Sequence, residues 1–380
     1  MRVQQVILKS PQVSPAAFAA LADINPNLVT VFGAVAYFAD EAFLAALRQT
    51  FPAVVLIGCS TAGEISADGV TDNTCIVTAA CLEKTRIKSA VTRLAGMDDS
   101  QAAGARIGEA LAGPDLKAIL VFGPGVEING SALVEGMASK VGDTVPITGG
   151  LAGDGGAFAR TFTLGPDGVD DRAVVAIGLS GDALRFGHGS FGGWEPFGPA
   201  RKVTRAVGNV LYELDGEPAL EIYKRYLGDL AVDLPASGLL FPFAMLGDDH
   251  GAMGLIRTIL GIDEAAGSLT LAGAIDPNGY LKLMHASTDS LVNGAEAAAE
   301  AAAAMMREKG ESLAILVSCV GRKLVMGGRV DDEVEAVADV LGSGALLTGF
   351  YSYGEISPFT PGSACQLHNQ TMTITCIGEQ

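Results

Sequence analysis

The sequence holds no C-x-x-C pair, although it has six cysteines, Cys59, Cys75, Cys81, Cys319, Cys365 and Cys376. That spacing gives no zinc-knuckle pattern, and thiols set in apolar runs behave as small hydrophobes. Histidine is scarce too, with four in 380 residues. None of His188, His250, His285 and His368 stands in H-x-x-x-H or H-E-x-x-H spacing, so no helix offers two ligands to one metal. No stretch reaches the about 18 apolar residues of a membrane span, and MRVQQVILKS lacks a signal-peptide core, so a cytoplasmic protein is expected. Positive charge is in deficit: 25 Lys and Arg against 43 Asp and Glu leave a formal charge of −18. Such a field repels phosphate backbones and anionic lipid, so neither nucleic acid nor membrane is an expected partner.

What the chain has in plenty is glycine, 49 residues against 16 prolines, which marks tight turns after short strands. A length of 380 residues accommodates two lobes with separate cores. Three stretches share one order of strand, loop, helix, strand and glycine-rich turn. They begin at Leu28 (LVTVFGAVAYFADEAFLAALRQTFPAVVLIGCSTAGE), at Lys117 (KAILVFGPGVEINGSALVEGMASKVGDTVPITGGLAGD) and at Leu313 (LAILVSCVGRKLVMGGRVDDEVEAVADVLGSGALLTGFYSYGE). In the helices Phe43, Leu44 and Leu47, then Leu133, Val134 and Met137, then Val334, Val337 and Leu341 recur at the three- and four-residue spacing of a single buried face. Runs such as AVVLIG and LAILVSCV read as strands buried on both sides, each pair parallel across its helix. The fold class expected is α/β, with repeated strand–helix–strand units in two lobes and mixed, largely parallel sheets. Between the second and third units GNVLYELDG reads as a strand closed by an Asp215-Gly216 turn, EPALEIYKRYLG as a helix from near Pro218 to Gly228, and GLLFPFAML and LIRTIL as strands. The alanine-rich run GAEAAAEAAAAMMREKG reads as a helix that is partly exposed or faces another chain, a homodimer contact or effector surface.

Each unit ends in glycine and a carboxylate, Gly63-Glu64, Gly153-Asp154 and Gly354-Glu355, at matching distances from their strands, so that the three acids are expected in equivalent places. Ligands of α/β sheets collect beyond the carboxyl ends of strands, so these corners form the expected site; the acids could equally cap the following segment through backbone N–H groups. Gly58-Cys-Ser-Thr-Ala-Gly63 has P-loop glycine spacing, yet Glu64 stands where lysine would neutralise phosphate. Ser60 is followed two places later by Ala62, which breaks the nucleophile-elbow pattern. GHGSFG (187–192) is followed by Pro196 and Pro199, which bars a helix aimed at pyrophosphate.

At GCSTAGEI (58–65), TGGLAGD (148–154), GSFGGWEPFGPARKVTRAVGNVLYELDG (189–216), LVSCVGRKLVMG (316–327), GFYSYGEISP (349–358) and LHNQTMTIT (367–375) the chain resembles FIST proteins over nearly its whole length. The resemblance implies a FIST N-terminal domain over 1–199, a FIST C-terminal domain over 200–380, and a sensory module of bacterial signal transduction rather than an enzyme. It implies a small-molecule ligand such as an amino acid, and no cofactor. No kinase, cyclase or receptor segment follows Gln380, so a separate partner, such as a histidine kinase or another signalling protein, is expected to carry the message. Family members described as haem-containing nitric-oxide sensors supply an alternative, with His188 or His368 as the axial ligand or else as a hydrogen-bonded buried imidazole.

For an amino acid, Glu64, Asp154 and Glu355 would meet the ammonium and Arg322 the carboxylate, unless Arg322 pairs with a nearby acid at the surface. Asn369 and Gln370 would add amide contacts, and Trp194 or Tyr351 would wall an apolar side chain, with the core as the other reading of Trp194. Cys59, Ser60, Thr61, Gly150, Cys319, Tyr353 and His368 complete the candidate ligand set. Cys59 and Cys319 are also candidate nucleophiles, Cys319 through the nearby Arg322, with core packing as the other reading.

Overall fold

The computed structural model describes residues 1–247, 250–306, 310–359 and 362–380. Each of the three sequence units builds one six-stranded mixed sheet. At its centre lies the expected parallel pair: Leu28–Gly33 with Val55–Ser60, Leu116–Gly123 with Ile147–Leu151, and Ser312–Cys319 with Ala345–Ser352. The strands around each pair are antiparallel, because they belong to hairpins and short returns rather than helical crossovers. A return strand flanks each pair (Cys75–Cys81, Ala173–Ser180, Met372–Glu379), and outside it lies a strand that opens the unit (Arg2–Leu8, Arg86–Arg93, Leu184–Phe191).

The hairpin after each parallel pair leaves its own sheet and completes a neighbour. Glu64–Ser66 of the first unit pairs with Ala345–Ser352 of the third. Gly354–Pro358 of the third pairs with Ile147–Leu151 of the second, and Thr163–Gly165 of the second pairs with Val55–Ser60 of the first. This cyclic exchange ties the three sheets into one body around a buried triangle of rings: Phe32 lies 5.3 Å from Phe122 and 4.8 Å from Phe350, and Phe122 lies 5.8 Å from Phe350. Close approach within each parallel pair depends on one glycine. A Cβ on Gly58, Gly149 or Gly349 would stand 1.9, 1.9 or 2.0 Å from the carbonyl oxygen of Val31, Val121 or Leu316 on the paired strand.

The helices carry the expected faces. Phe43 and Leu47, Leu133, Val134 and Met137, and Val334 and Val337 are buried, with Leu44 and Leu341 at the margins. The alanine-rich helix, Thr288–Met306, buries Ala295, Ala298, Ala299 and Ala302 and exposes its other side; residues 307–309 of that run lie outside the described residues. Its small face packs within the chain, because Gly187 and Gly189 of the strand beneath bring their Cα atoms against the helix carbonyls of Ala302 and Ala298.

The second lobe lies between the opening strand of the third unit and this helix. Its eight-stranded sheet runs from Glu195–Val207 to Tyr280–His285 around a separate core that includes Leu211, Tyr223, Leu269 and Leu283. The turn after Val210–Leu214 has positive φ at both Asp215 (51°) and Gly216 (82°), as a two-residue hairpin loop requires, and the helix Ala219–Leu227 stops at Gly228. LIRTIL is divided between the strands Ala252–Arg257 and Ile259–Asp263. The start of GLLFPFAML differs from expectation: Ala236–Leu240 is a 3₁₀ turn before Pro242, and the strand is Phe243–Leu246.

Candidate functional site

The three glycine–acid corners meet at one end of the three-sheet body, held by backbone hydrogen bonds between units. Ala62 N donates to Tyr351 O and Tyr351 N to Gly63 O, both at 2.8 Å. Gly153 N donates to Ser60 O (2.8 Å), Gly155 N to Thr61 O (3.0 Å) and Tyr353 N to Leu151 O (3.2 Å). The acids are not fully equivalent. Glu64 and Glu355 stand six residues beyond Gly58 and Gly349, whereas Asp154 stands five beyond Gly149, a departure from the equal spacing expected.

That difference sets their environments. Glu64 is buried and accepts from Thr61 Oγ1, Thr74 N (2.9 Å) and Thr74 Oγ1 (2.7 Å). Glu355 repeats the pattern, accepting from Ser352 Oγ (2.5 Å), Thr371 N (3.2 Å) and Thr371 Oγ1 (3.0 Å). Burial raises both acids against these bonds, Glu355 to about 8. Asp154 is half-buried, at the start of an exposed turn. Burial would raise it, but bonds from Tyr353 Oη and from the N–H groups of Arg160, Ala159 and Phe158 outweigh that and hold it below its ordinary value.

Beside this junction lies a recess of about 400 Å³ lined by Thr61, Gly63, Glu64, Asp154 and Gly155, by Ala34, Val35 and Ala36, and by Asp72, Asn73 and Lys323. Two of the three expected acids therefore share one recess, and Glu355 does not line it. Lys323 comes from the third unit; its Nζ donates to Ala62 O (3.0 Å) and to Asp72, and stands 5.3 Å from the Tyr351 ring centroid. Asp72, Asn73 and Lys323 were not legible as site residues one at a time. A signal existed in the repeat: Asn73 and Gln370 both have positive φ (60° and 64°), and each precedes the threonine that caps its unit's glutamate. Thr71-Asp-Asn-Thr74 and His368-Asn-Gln-Thr371 thus occupy matching places.

Several expected ligand residues stand away from the recess, each held by bonds of its own. Arg322 is 0% exposed and pairs with the equally buried Glu333 (2.7 Å), while donating to Gly192 O and Leu291 O. It does not pair with an acid at the surface. Tyr351 Oη donates to the same Glu333 (2.6 Å) and Trp194 Nε1 to Gln370 O (2.8 Å), so both rings belong to the packed interior. Gln370 Nε2 donates to Leu239 O, and Asn369 is buried beside it. Ser60 Oγ donates to Gly153 O and accepts from Phe162 N. Gly150 pairs with Glu355 in the sheet and packs against Val317. Tyr353 joins the recess only through Asp154 and faces a second cavity.

The two candidate nucleophiles are enclosed. Burial raises the thiols of Cys59 and Cys319, and the nearby Glu355 adds to the effect at Cys319 more than Arg322 offsets it. The geometry therefore corrects the thiolate reading. The imidazoles do not fit a haem either. His368 is 1% exposed with Nε2 2.8 Å from Ser357 O and is lowered to about 4 by burial, while His188, 3% exposed, is lowered by burial; neither lines the recess or the second cavity. Among the described residues no group of three His, Cys, Asp or Glu could hold a metal ion.

Glu355 makes a pH prediction. Its ordinary value is 4.5 and its folded value about 8, so between those limits the folded chain keeps a proton that the unfolded chain has lost, and stability falls as pH rises through the window. Glu355→Gln removes this titration. Compared by urea midpoints, the variant should gain on the wild type by a few kcal/mol between pH 5 and pH 9, and equal slopes would contradict the assignment.

The FIST N domain matches residues 27–217 and the FIST C domain residues 219–358. An uncharacterized protein of Mycobacterium tuberculosis is 30% identical over 216 residues, 54% of this chain and 55% of that protein. An uncharacterized protein of Methanocaldococcus jannaschii is 42% identical over 88 residues, 22% of this chain and 16% of its own length. The matches thus span about half of the mycobacterial relative's length and less of the archaeal one's. Among solved structures, cyanuic acid hydrolase from A. caulinodans aligns over 100% of this chain and 99% of its own at a TM-score of 0.40 and 10% identity, too distant a likeness to bear on function. No helix among the described residues is long and apolar enough to cross a membrane. With both of its domains matched in order, the chain belongs to the FIST family, whose domains are associated with signal transduction and ligand sensing.

Proposed function

We propose that the recess at the junction of the corners binds a small polar metabolite carrying an ammonium group, an amino acid or a close relative, and that its occupancy is passed to a separate signalling partner. The observation that carries this reading is the meeting of Thr61, Glu64, Asp72, Asn73, Asp154 and Lys323, drawn from all three units, around about 400 Å³. Asp154, held ionised by its bonds, and Asp72 supply negative charge for an ammonium. Lys323, which pairs with Asp72, sets the opposite charge beside it, as the adjacent ammonium and carboxylate of an amino acid require. Because the walls come from three units, a ligand there favours their docked arrangement and biases the body toward one state.

Thermal shift across amino acids, amines and carboxylates tests this. A ligand at 100 times its dissociation constant should stabilise the chain by about 2.7 kcal/mol. Asp72 is 61% exposed, so Asp72→Asn should spare the fold and weaken the hit by about tenfold or more. Absence of any ammonium-bearing hit, or a hit indifferent to Asp72→Asn, would overturn the reading.

A further inference from the structure

A second cavity, about 590 Å³, opens between the three-sheet body and the second lobe. The body contributes the loop from Gly125 to Gly130 with Leu151, Phe158, Tyr353 and Leu367, and the second lobe contributes Pro235, Ala236, Leu239, Ile259, Leu260 and the stretch Leu271–Ala274. Its volume lies within the range that encloses small organic ligands. Its chemistry is the reverse of the corner recess. Of the residues that line it, Glu127 is the one that carries a charge, and the Tyr353 hydroxyl is already bonded to Asp154.

The mouth adds an independent observation. Met97, Phe158 and Leu260 are 52, 39 and 46% exposed, and all three line this cavity. Scattered apolar side chains on a surface need no explanation, but three at the rim of one concave, largely uncharged cleft mark a place where apolar surface is to be covered. Phe158 stacks on Tyr353 with centroids 4.0 Å apart and planes 15° from parallel, which presents a flat aromatic wall.

We infer that this interlobe cleft is a second binding site, taking a compact, uncharged, ring-bearing apolar molecule. A charged metabolite would lose its hydration against walls that offer no counter-charge but Glu127. The site shares a wall with the recess: Asp154 and Gly155 face the recess, while Gly156 and Phe158 face the cleft. Tyr353 holds this segment from the cleft side by accepting from Asp154 N (3.2 Å) and Gly156 N (2.9 Å).

The test is fluorescence titration of the full chain with prodan, a neutral naphthalene dye whose emission moves to the blue in apolar surroundings. Saturable one-to-one binding with a blue shift is expected. Ala236→Trp, which fills the cleft, and Leu260→Glu, which charges its rim, alter exposed side chains and should each weaken binding by about tenfold or more. Val232→Glu, at a side chain 84% exposed and outside the cleft, should leave binding within about twofold. Asp72→Asn should also leave it unchanged, so that failure of the corner recess and failure of this site are told apart. No saturation, indifference to both cleft variants, an equal loss with Val232→Glu or loss with Asp72→Asn would each overturn the inference.

Discussion

Replacing Glu333 with alanine should destabilise the protein by about 3–5 kcal/mol, the range for breaking a buried ion pair from one side. Glu333 and Arg322 are both fully enclosed, and Glu333 also accepts from Ser318 Oγ (3.0 Å) and Tyr351 Oη (2.6 Å). The variant leaves a guanidinium without its counter-charge and two hydroxyls without their acceptor, in a place water does not reach. Removing both charges together, as Arg322→Met with Glu333→Leu, should recover a substantial part of the loss, because the cost lies in the unpaired charge more than in the lost attraction. Urea midpoints of the single and double variants decide this. A single variant within about 1 kcal/mol of wild type would mean that the pair is not buried as described.

Gly58→Ala should cost at least about 3 kcal/mol, beyond the usual penalty for overpacking, because the obstacle is backbone rather than a side chain that can turn aside. The new Cβ would lie 1.9 Å from Val31 O, so the parallel pair must open, and the ring cluster of Phe32, Phe122 and Phe350 opens with it. Gly96→Ala is the matched control. Its Cβ would meet nothing within 4 Å and its backbone is extended, so a change within about 0.5 kcal/mol is expected. Equal effects at the two positions would contradict the close strand approach that the three units share.

The units themselves were legible because each carries two periodicities at once, the three- and four-residue spacing of a helix and an apolar strand ending in glycine. Gly58, Gly149 and Gly349 are the physical root of that pattern, since the paired carbonyl leaves no room for a Cβ. The exchange of hairpins was not legible. Glu64 pairs with Phe350 and Thr163 with Cys59, and no local feature of a three-residue strand says which distant edge it will complete. The candidate site was half legible for the same reason. Thr61, Glu64 and Asp154 lie at corners that the repeat announces, whereas Lys323 reaches the recess only because the third unit docks against the first. Arg322, one residue earlier, turns inward to Glu333, and sequence spacing alone does not distinguish those two cations.

The most direct test of the central claim is a crystal structure of the protein with the ammonium-bearing metabolite that raises its melting temperature most. Density is expected in the recess, with the ammonium within hydrogen-bond reach of Asp154 or Asp72 and any carboxylate turned toward Lys323. A ligand seated elsewhere, with those three side chains still bonded as they are without it, would contradict the account.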